Sequence, residues 1–336
     1  MKMKKKSYKY ICNVCNVYSL LIYLLHMSKS EVESTFFIFN PSIPKVIREN
    51  FCHSYTMPDY HKYGRFKRMG IILFGFLVFR YIKLFRLPNF RDSEIFGNDF
   101  SRYDSILIGK KKYYCIEDCP DGFKRTYIDH FYSLELKKNR NKLRYYILSI
   151  LNGLVYCHRF GNNNQCEGVI TSSRSVPSYL KNKTIINISL EEAWRNSASD
   201  KKEMILTSYG IGKNEHSDLF NRRIILLTQP LWPDFISQDE HLRIYKEILS
   251  NYKTCDIVIK THPRDLFDYK SLDTDLYVLD KPIPVQLLTI LGVHYDRAVT
   301  VFSTAAYTFK ELGAVVDWYG TEISDELFFA LGHKSM

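Results

Sequence analysis

Four short stretches of the chain carry residue types able to do chemistry, each just after an apolar run that reads as a β-strand. CDIVIK leads into Thr261-His262-Pro263-Arg264-Asp265, which puts an imidazole at a strand tip between Lys260 and Arg264. A histidine between two cations can meet a phosphate and donate to a departing phosphate oxygen. The proline fixes the turn and removes a backbone donor. KKYYCI leads into Glu117-Asp118, followed by Cys119, Pro120, Asp121 and Gly122. Three carboxylates within five positions suit a general base, and a solvated acidic turn is the competing reading. RAVTVF leads into Ser303-Thr304 and a helical pattern. There Ser303 is expected to cap the helix and leave first-turn N–H groups to an anion, although serine caps many helices that bind nothing. RRIILLT leads into Gln229-Pro230, a polar group on a rigid turn.

Ligands in open α/β sheets bind at the carboxyl ends of strands, so the elements behind these tips matter. SYKYICNV, STFFIFN, DSEIFGN, YDSILIG, KKYYCIED, EGVITSS and KTIINIS read as strands, with helical patterns over Val17–Met27, 61–86 and about 124–151. A second series follows from residue 222. RRIILLT, CDIVIK, DLYVLD, RAVTVF and VVDWYG alternate with DEHLRIYKEILSNY, PVQLLTILG, STAAYTFKELG (Gly313 as C-cap) and a last helix at Ser324–Leu331. Such alternation implies parallel sheets covered on both faces. The expected architecture is α/β, with two Rossmann-like domains facing each other across a cleft. They span 1–205 and 206–336, the polar stretch 189–221 links them, and the last helix is allowed to pack back on the first domain.

Composition narrows the function. At 336 residues, 46% hydrophobic and 25% charged, the chain is an ordinary globular one, long enough for two cores. The net charge of +11 is uneven. Residues 1–100 hold 16 Lys/Arg and 7 Asp/Glu, net +9, which leaves +2 for the rest and argues against nucleic-acid binding by the whole protein. Eight cysteines, with a lone CxxC at Cys12 and Cys15, read as buried free thiols in a reducing cytoplasm. The basic, apolar start lacks a small-x-small cleavage site, and no stretch reaches the ~20 uninterrupted apolar residues of a spanning helix. Neither GxxxxGKS nor GxGxxG occurs, which counts against P-loop and dinucleotide enzymes. Asp273 and Asp275 precede a strand rather than end one, so no metal site is expected, and no cofactor. A carboxylate on one half, with a histidine, cations and a Ser pair on the other, suits a transferase. One domain would bind an acceptor and the other a nucleotide donor.

The order of these motifs resembles glycosyltransferase family 52, the bacterial lipooligosaccharide and capsule sialyltransferases. The resemblance runs from YICNVCNVYSLLIYLLH through IFGNDFSRYDSILIGKKKYYCIEDCPDGFKRTY and ILLTQPL to IVIKTHPRD, KPIPVQLL and VTVFSTAAYTFKELG. It implies a GT-B fold and inverting, metal-independent transfer of sialic acid from CMP-sialic acid to a terminal sugar of a cell-surface oligosaccharide. It also implies roles. Glu117 would be the general base, with Asp118 as the second acidic position, and His262 would contact and protonate the CMP phosphate, its loop shaped by Pro263. Ser303 and Thr304 would hold the phosphate, and Gln229 would lie near the nucleotide. In a mechanism built on these roles, the neighbouring cations Lys260 and Arg264 spread the phosphate charge.

Two departures stand out. Cys119 follows the acidic pair where the family has glycine, and glycine comes only at Gly122, so either the turn differs or Asp121 shares the base role. Gln286 stands where a glutamate usually faces the donor ribose. Alternatives are a family member using another nucleotide sugar, such as a glucosyltransferase, and an inactive nucleotide-binding scaffold. The glycerophosphate transferases of teichoic-acid synthesis also pair HP with a Ser motif, but theirs reads Asp-Tyr-Ser-Ser where this chain has VFST. The segment 66–87 has the apolar run Met69–Phe79 between Lys67/Arg68 and Arg80/Lys83/Arg86. It reads either as a core helix or as a peripheral anchor on the anionic inner face of the plasma membrane.

Overall fold

A computed structural model describes residues 6–59, 65–124, 147, 150–151, 153, 158–173, 175–212 and 221–334, with side chains of the helix at 65 described from residue 74 on and that of Arg102 left out. Most of the helical pattern at 124–151, and Cys157, lie outside the described residues. The chain divides into two compact units, Met1–Ser208 and Tyr209–Met336. The boundary falls inside the stretch read as a linker, which itself folds into two helices up to Ser208.

The first unit contains strands β1 (Tyr10–Val14), β2 (Thr35–Phe39), β3 (Ser54–Thr56), β4 (Glu94–Gly97), β5 (Tyr113–Ile116), β6 (Cys166–Thr171) and β7 (Thr184–Asn187). Its helices are α1 (Val17–His26), α2 (Lys29–Glu33), α3 (Lys45–Arg48), α4 (Arg65–Phe85), α5 (Arg102–Ile108), α6 (Leu190–Asn196) and α7 (Ser199–Ser208). The strands form one sheet in the order β3-β2-β1-β4-β5-β6-β7, every pair parallel. β1 is buried along its whole length, as a central strand covered on both faces must be. Asn16 caps the first helix, accepting from the Ser19 N–H at 2.8 Å. YDSILIG, expected as a strand, is helix α5. Ser101 and Asp104 close a capping box at its start, and that local hydrogen bonding outweighs an apolar run too short to declare its period.

The second unit contains β8 (Ile224–Leu227), β9 (Ile257–Lys260), β10 (Tyr277–Leu279), β11 (Arg297–Thr300) and β12 (Val315–Trp318), with helices α8 (Gln238–Ser250), α9 (Val285–Ile290), α10 (Ala306–Glu311) and α11 (Asp325–Leu331). Its sheet order is β10-β9-β8-β11-β12, again all parallel. In both sheets the strand order reverses beside the first strand, between β1 and β4 and between β8 and β11. Crevices for ligands open at such points. α11 contributes Leu327 to the second unit's own core, beside Ile236 and Ile244, so the last helix belongs to that unit.

Two exposed thiols, Cys52 and Cys255, depart from the expectation of uniformly buried cysteines. Cys12, Cys15, Cys115 and Cys166 are buried, and all seven described cysteines are free. Among the described residues no helix is long and apolar enough to cross a membrane.

Candidate active site

In the first unit, pairing of β5 with β6 sets Ile116 opposite Ile170, which brings Glu117 beside Thr171 and the two serines after it. The Glu117 carboxylate is buried, 1% exposed, and hydrogen-bonded on both oxygens. Oε1 accepts from the Tyr18 hydroxyl (2.6 Å), the Ser172 N–H (2.7 Å) and the Ser172 hydroxyl (2.6 Å). Oε2 accepts from Thr171 (2.5 Å) and Ser173 (3.3 Å). Burial, and then the Glu117 charge, push the Tyr18 phenol well above its ordinary range, so it stays a donor. Glu117 thus ties α1 and the β6 edge to the acidic loop. Such close matching of both oxygens counts against the general-base role the resemblance gave it.

Asp118, the next residue, is half-exposed. Its carbonyl accepts from the Asn16 side chain at 2.7 Å, which fixes the loop to the start of α1. Gly122 answers the first departure from the family pattern. A Cβ there would sit 2.6 Å from Asp118 Oδ1, so glycine three positions later still clears space against the second acidic residue. Asp121 is half-exposed, has φ of 60° and pairs with Lys124, which makes it part of the turn. Beneath this loop, Asn98 donates to the Ile116 carbonyl (2.8 Å), and Asn13 donates to Asp104 (2.6 Å), a carboxyl that burial raises to about 6. This polar cluster joins the ends of β1, β4 and β5.

In the second unit, register sets Leu227 opposite both Lys260 and Thr300. Gln229, His262 and Phe302 therefore each lie two residues past the ends of three adjacent strands. Lys260 is 5% exposed and donates to the Thr261 carbonyl at 2.9 Å; among the described residues it makes no ion pair. Burial lowers its ammonium to about 8, with the Asp280 charge acting in the opposite direction. His262 is lowered to about 4, first by burial and then by the Arg264 and Lys260 charges. Its Nδ1 accepts from the Arg264 N–H (3.1 Å), so the neutral ring carries its proton on Nε2.

A network that sequence reading missed holds this histidine. Thr228 accepts from the His262 N–H (3.0 Å) and donates to Asp265 (2.6 Å). Asp265 also accepts from Tyr269 (2.7 Å), while its N–H donates to the His262 carbonyl (2.8 Å). Pro263 and Arg264 are exposed at the tip of this turn. Thr228 and Asp265 stood in the quoted motifs as a strand-end threonine and the last residue of HPRD, but only the fold shows that they meet.

Ser303 does not cap α10. The helix begins at Ala306 with Ala305 in the capping position, and Ser303 sits one turn earlier, its N–H donating to Thr300 at 2.9 Å. The Ser303 hydroxyl makes no hydrogen bond among the described residues, and Thr304 is exposed. Gln286 lies in the first turn of α9 and donates to Thr308 at 3.3 Å, which leaves its amide oxygen for a ligand. Gln229 is half-buried, with its N–H held by the Tyr245 hydroxyl at 2.9 Å.

Two Rossmann-like units with chemistry at their strand tips define a GT-B fold, and solved structures agree. Two crystal structures of a sialyltransferase from Photobacterium damselae superpose with TM-scores of 0.54 and 0.52. At 11% and 10% identity they cover 96% of this chain each, and 97% and 79% of theirs; the first of them is described as the GT-B domain. The profile of glycosyltransferase family 52 matches residues 77–324, so the chain belongs to that family and is a glycosyltransferase. An uncharacterized protein of Haemophilus influenzae is 28% identical over 328 residues, 97% of this chain and 98% of its own length.

Proposed function

We propose that this enzyme transfers sialic acid from CMP-sialic acid to a sugar hydroxyl of a cell-surface oligosaccharide such as lipooligosaccharide or capsule, by one inverting displacement. The observation that carries the reading is Lys260, a buried cation that makes no ion pair among the described residues and has only the more distant charge of Asp280 in its favour, next to a histidine whose proton points away from its own turn. A buried, unmatched positive charge is costly by itself and becomes favourable once an anion binds. The phosphate of a nucleoside monophosphate sugar is such an anion, and CMP is such a leaving group.

In this mechanism Asp118 takes the proton of the acceptor hydroxyl as its oxygen attacks the anomeric carbon. The bond from that carbon to the phosphate oxygen breaks with its electron pair leaving on CMP. The His262 Nε2–H donates to the departing phosphate, Lys260 and Arg264 spread its charge, and the hydroxyls of Ser303 and Thr304 complete the cradle. Gln229 and Gln286 offer amides to the base and ribose. Asp265 and Thr228 act through His262 as positioning residues. The cations stand where a metal ion would otherwise neutralise the phosphate, so chelator-treated enzyme is expected to keep its rate. Exposed thiols at Cys52 and Cys255 support a reducing, cytoplasmic setting.

The test is release of CMP from CMP-sialic acid, with and without a galactose-terminated oligosaccharide. Acceptor-dependent release supports the reading. CMP binding without turnover favours an inactive scaffold, and release from a different nucleotide sugar moves the donor assignment.

A further inference from the structure

Helix α8 carries a histidine at a position its pattern reserves for the core. His241 is 0% exposed and shares the buried face of the helix with Ile244, Tyr245 and Ile248. Its ring centroid lies 4.8 Å from that of Tyr245, 4.7 Å from Phe267 and 5.9 Å from Tyr269. Nε2 is 3.1 Å from the Tyr269 hydroxyl, and Nδ1 has no hydrogen-bond partner among the described residues. A leucine would fill such a place without stranding a ring nitrogen, and a buried polar atom left without a partner costs free energy. Packing alone therefore does not account for an imidazole here.

The direction of the hydrogen bonds shows what Nε2 is committed to. The single Tyr269 hydroxyl proton goes to Asp265 Oδ2 at 2.7 Å, so the Tyr269 oxygen is the acceptor towards His241. The neutral imidazole then carries its proton on Nε2, and Nδ1 is a bare lone pair. Burial lowers this imidazole below its ordinary range, with the Asp265 charge acting the other way. Beyond Asp265 the series continues. Thr228 donates to the same carboxylate oxygen at 2.6 Å and accepts the His262 N–H at 3.0 Å. Asp265 Oδ1 takes the N–H of Phe267 at 3.2 Å, and the Phe267 ring packs on His241. Every proton in the series points towards Asp265, and bonds aligned in this way polarise one another.

We propose that His241 is a remote positioning residue for His262, acting through Tyr269, Asp265 and Thr228 to hold the turn after β9. Its Nε2–H fixes the Tyr269 hydroxyl on Asp265. Asp265, held from that side, fixes Thr228 and with it the backbone N–H of His262. Nδ1 is left bare because Nε2 is committed to the tyrosine and the rest of the ring to its aromatic neighbours. A leucine in place of His241 would pack but leave the Tyr269 oxygen without its donor, free to turn away from Asp265. For its effect on turnover the inference rests on the reading of the β9 edge as the phosphate site. The coupling of the two histidine rings belongs to the ligand-free protein and does not depend on that reading.

¹⁵N spectra of the two imidazoles in the ligand-free full chain test it, beside kcat and KM for CMP release from CMP-sialic acid. In the wild type, the His241 ring should be neutral, with its proton on Nε2 and with Nδ1 at the shift of a nitrogen that makes no hydrogen bond. His241→Leu and Tyr269→Phe should each move the His262 ring from the Nε2–H form toward a mixture of tautomers. Each should lower kcat roughly tenfold while KM for the donor stays within about twofold. His241→Gln, whose amide can place an N–H where Nε2–H stood, should restore most of both. A wild-type His241 protonated on Nδ1 overturns the proposal, as does an unchanged His262 spectrum in either folded variant. So does a glutamine variant as displaced as the leucine one, which would assign His241 to packing alone. Where His241→Leu does not fold, Tyr269→Phe and the wild-type tautomer decide. A protein that shows the coupling but releases no CMP upholds this inference and removes the donor reading instead.

Discussion

The carboxylate and the cation at the two strand edges are treated in opposite ways by the fold. Glu117, 1% exposed, is met by five hydrogen bonds from Tyr18, Thr171, Ser172 and Ser173. Lys260, 5% exposed, is met by one neighbouring carbonyl. Both are buried, yet only the first is closely matched; beyond that carbonyl Lys260 has only the more distant charge of Asp280. A satisfied buried charge holds a loop in place, whereas an unsatisfied one is a site waiting for its counter-ion. Burial and charge alone would have assigned the two residues the same role; their partners separate them.

The largest expected effects fall on activity. Asp118→Asn and His262→Ala should each lower kcat by about 10²–10⁴ with the melting temperature unchanged. Glu117→Gln should do the reverse at first order. An amide in a nest of hydroxyl and N–H donors leaves one of them unmatched, at about 1–3 kcal/mol of stability, read by thermal or urea unfolding. If Glu117→Gln is fully stable but inactive while Asp118→Asn is active, the contrast drawn between anchor and base is reversed.

Next comes Asp265→Asn. It weakens the clamp on Thr228 and the His262 turn without touching substrate, so kcat should fall roughly tenfold while the affinity for CMP holds. The ¹⁵N spectrum of the His262 ring should shift from the Nε2–H form toward a mixture of tautomers. A purely structural role would leave that spectrum unchanged.

Removing the unmatched cation should help the empty protein. Lys260→Met should raise stability without ligand by on the order of 3 kcal/mol at neutral pH, since burial has pushed this ammonium down to about 8. The same variant should lose the thermal shift given by CMP. A destabilised Lys260→Met would mean that the charge is already matched.

The smallest effect concerns pH. The unfolded chain protonates His262 near 6.5 and the folded chain near 4, so between these values the unfolded state binds more protons. Stability should therefore fall as pH drops from 6.5 to 4, and the slope should be shallower in His262→Asn. An unchanged slope would mean that the ring is not held neutral.

Much of this was legible in the amino-acid sequence. The strands that deliver Glu117, His262 and Ser303 announce themselves as short β-branched or aromatic runs ending in turn residues. α5 reads as a strand because seven residues are too few to separate a 3.6 period from a 2.0 period, and only its capping box marks it as a helix. Ser303 reads as a cap because a serine before a helical pattern looks the same whether the helix starts one residue later or three. Glu117 illustrates a deeper limit. Its hydroxyl partners come from residue 18 and residues 171–173, and no local pattern says that those segments meet. The two faces of α4 were written in the spacing of its apolar residues, but which face is covered depends on the sheet and on α5.

Calorimetric titration of the wild type and Lys260→Met with CMP and with cytidine, which lacks the phosphate, tests the central claim most directly. The account predicts that the wild type binds CMP far more tightly than cytidine and that Lys260→Met loses this preference. Equal binding of the two ligands by the wild type, or an undiminished preference in Lys260→Met, would contradict the assignment of the β9 edge as the phosphate site.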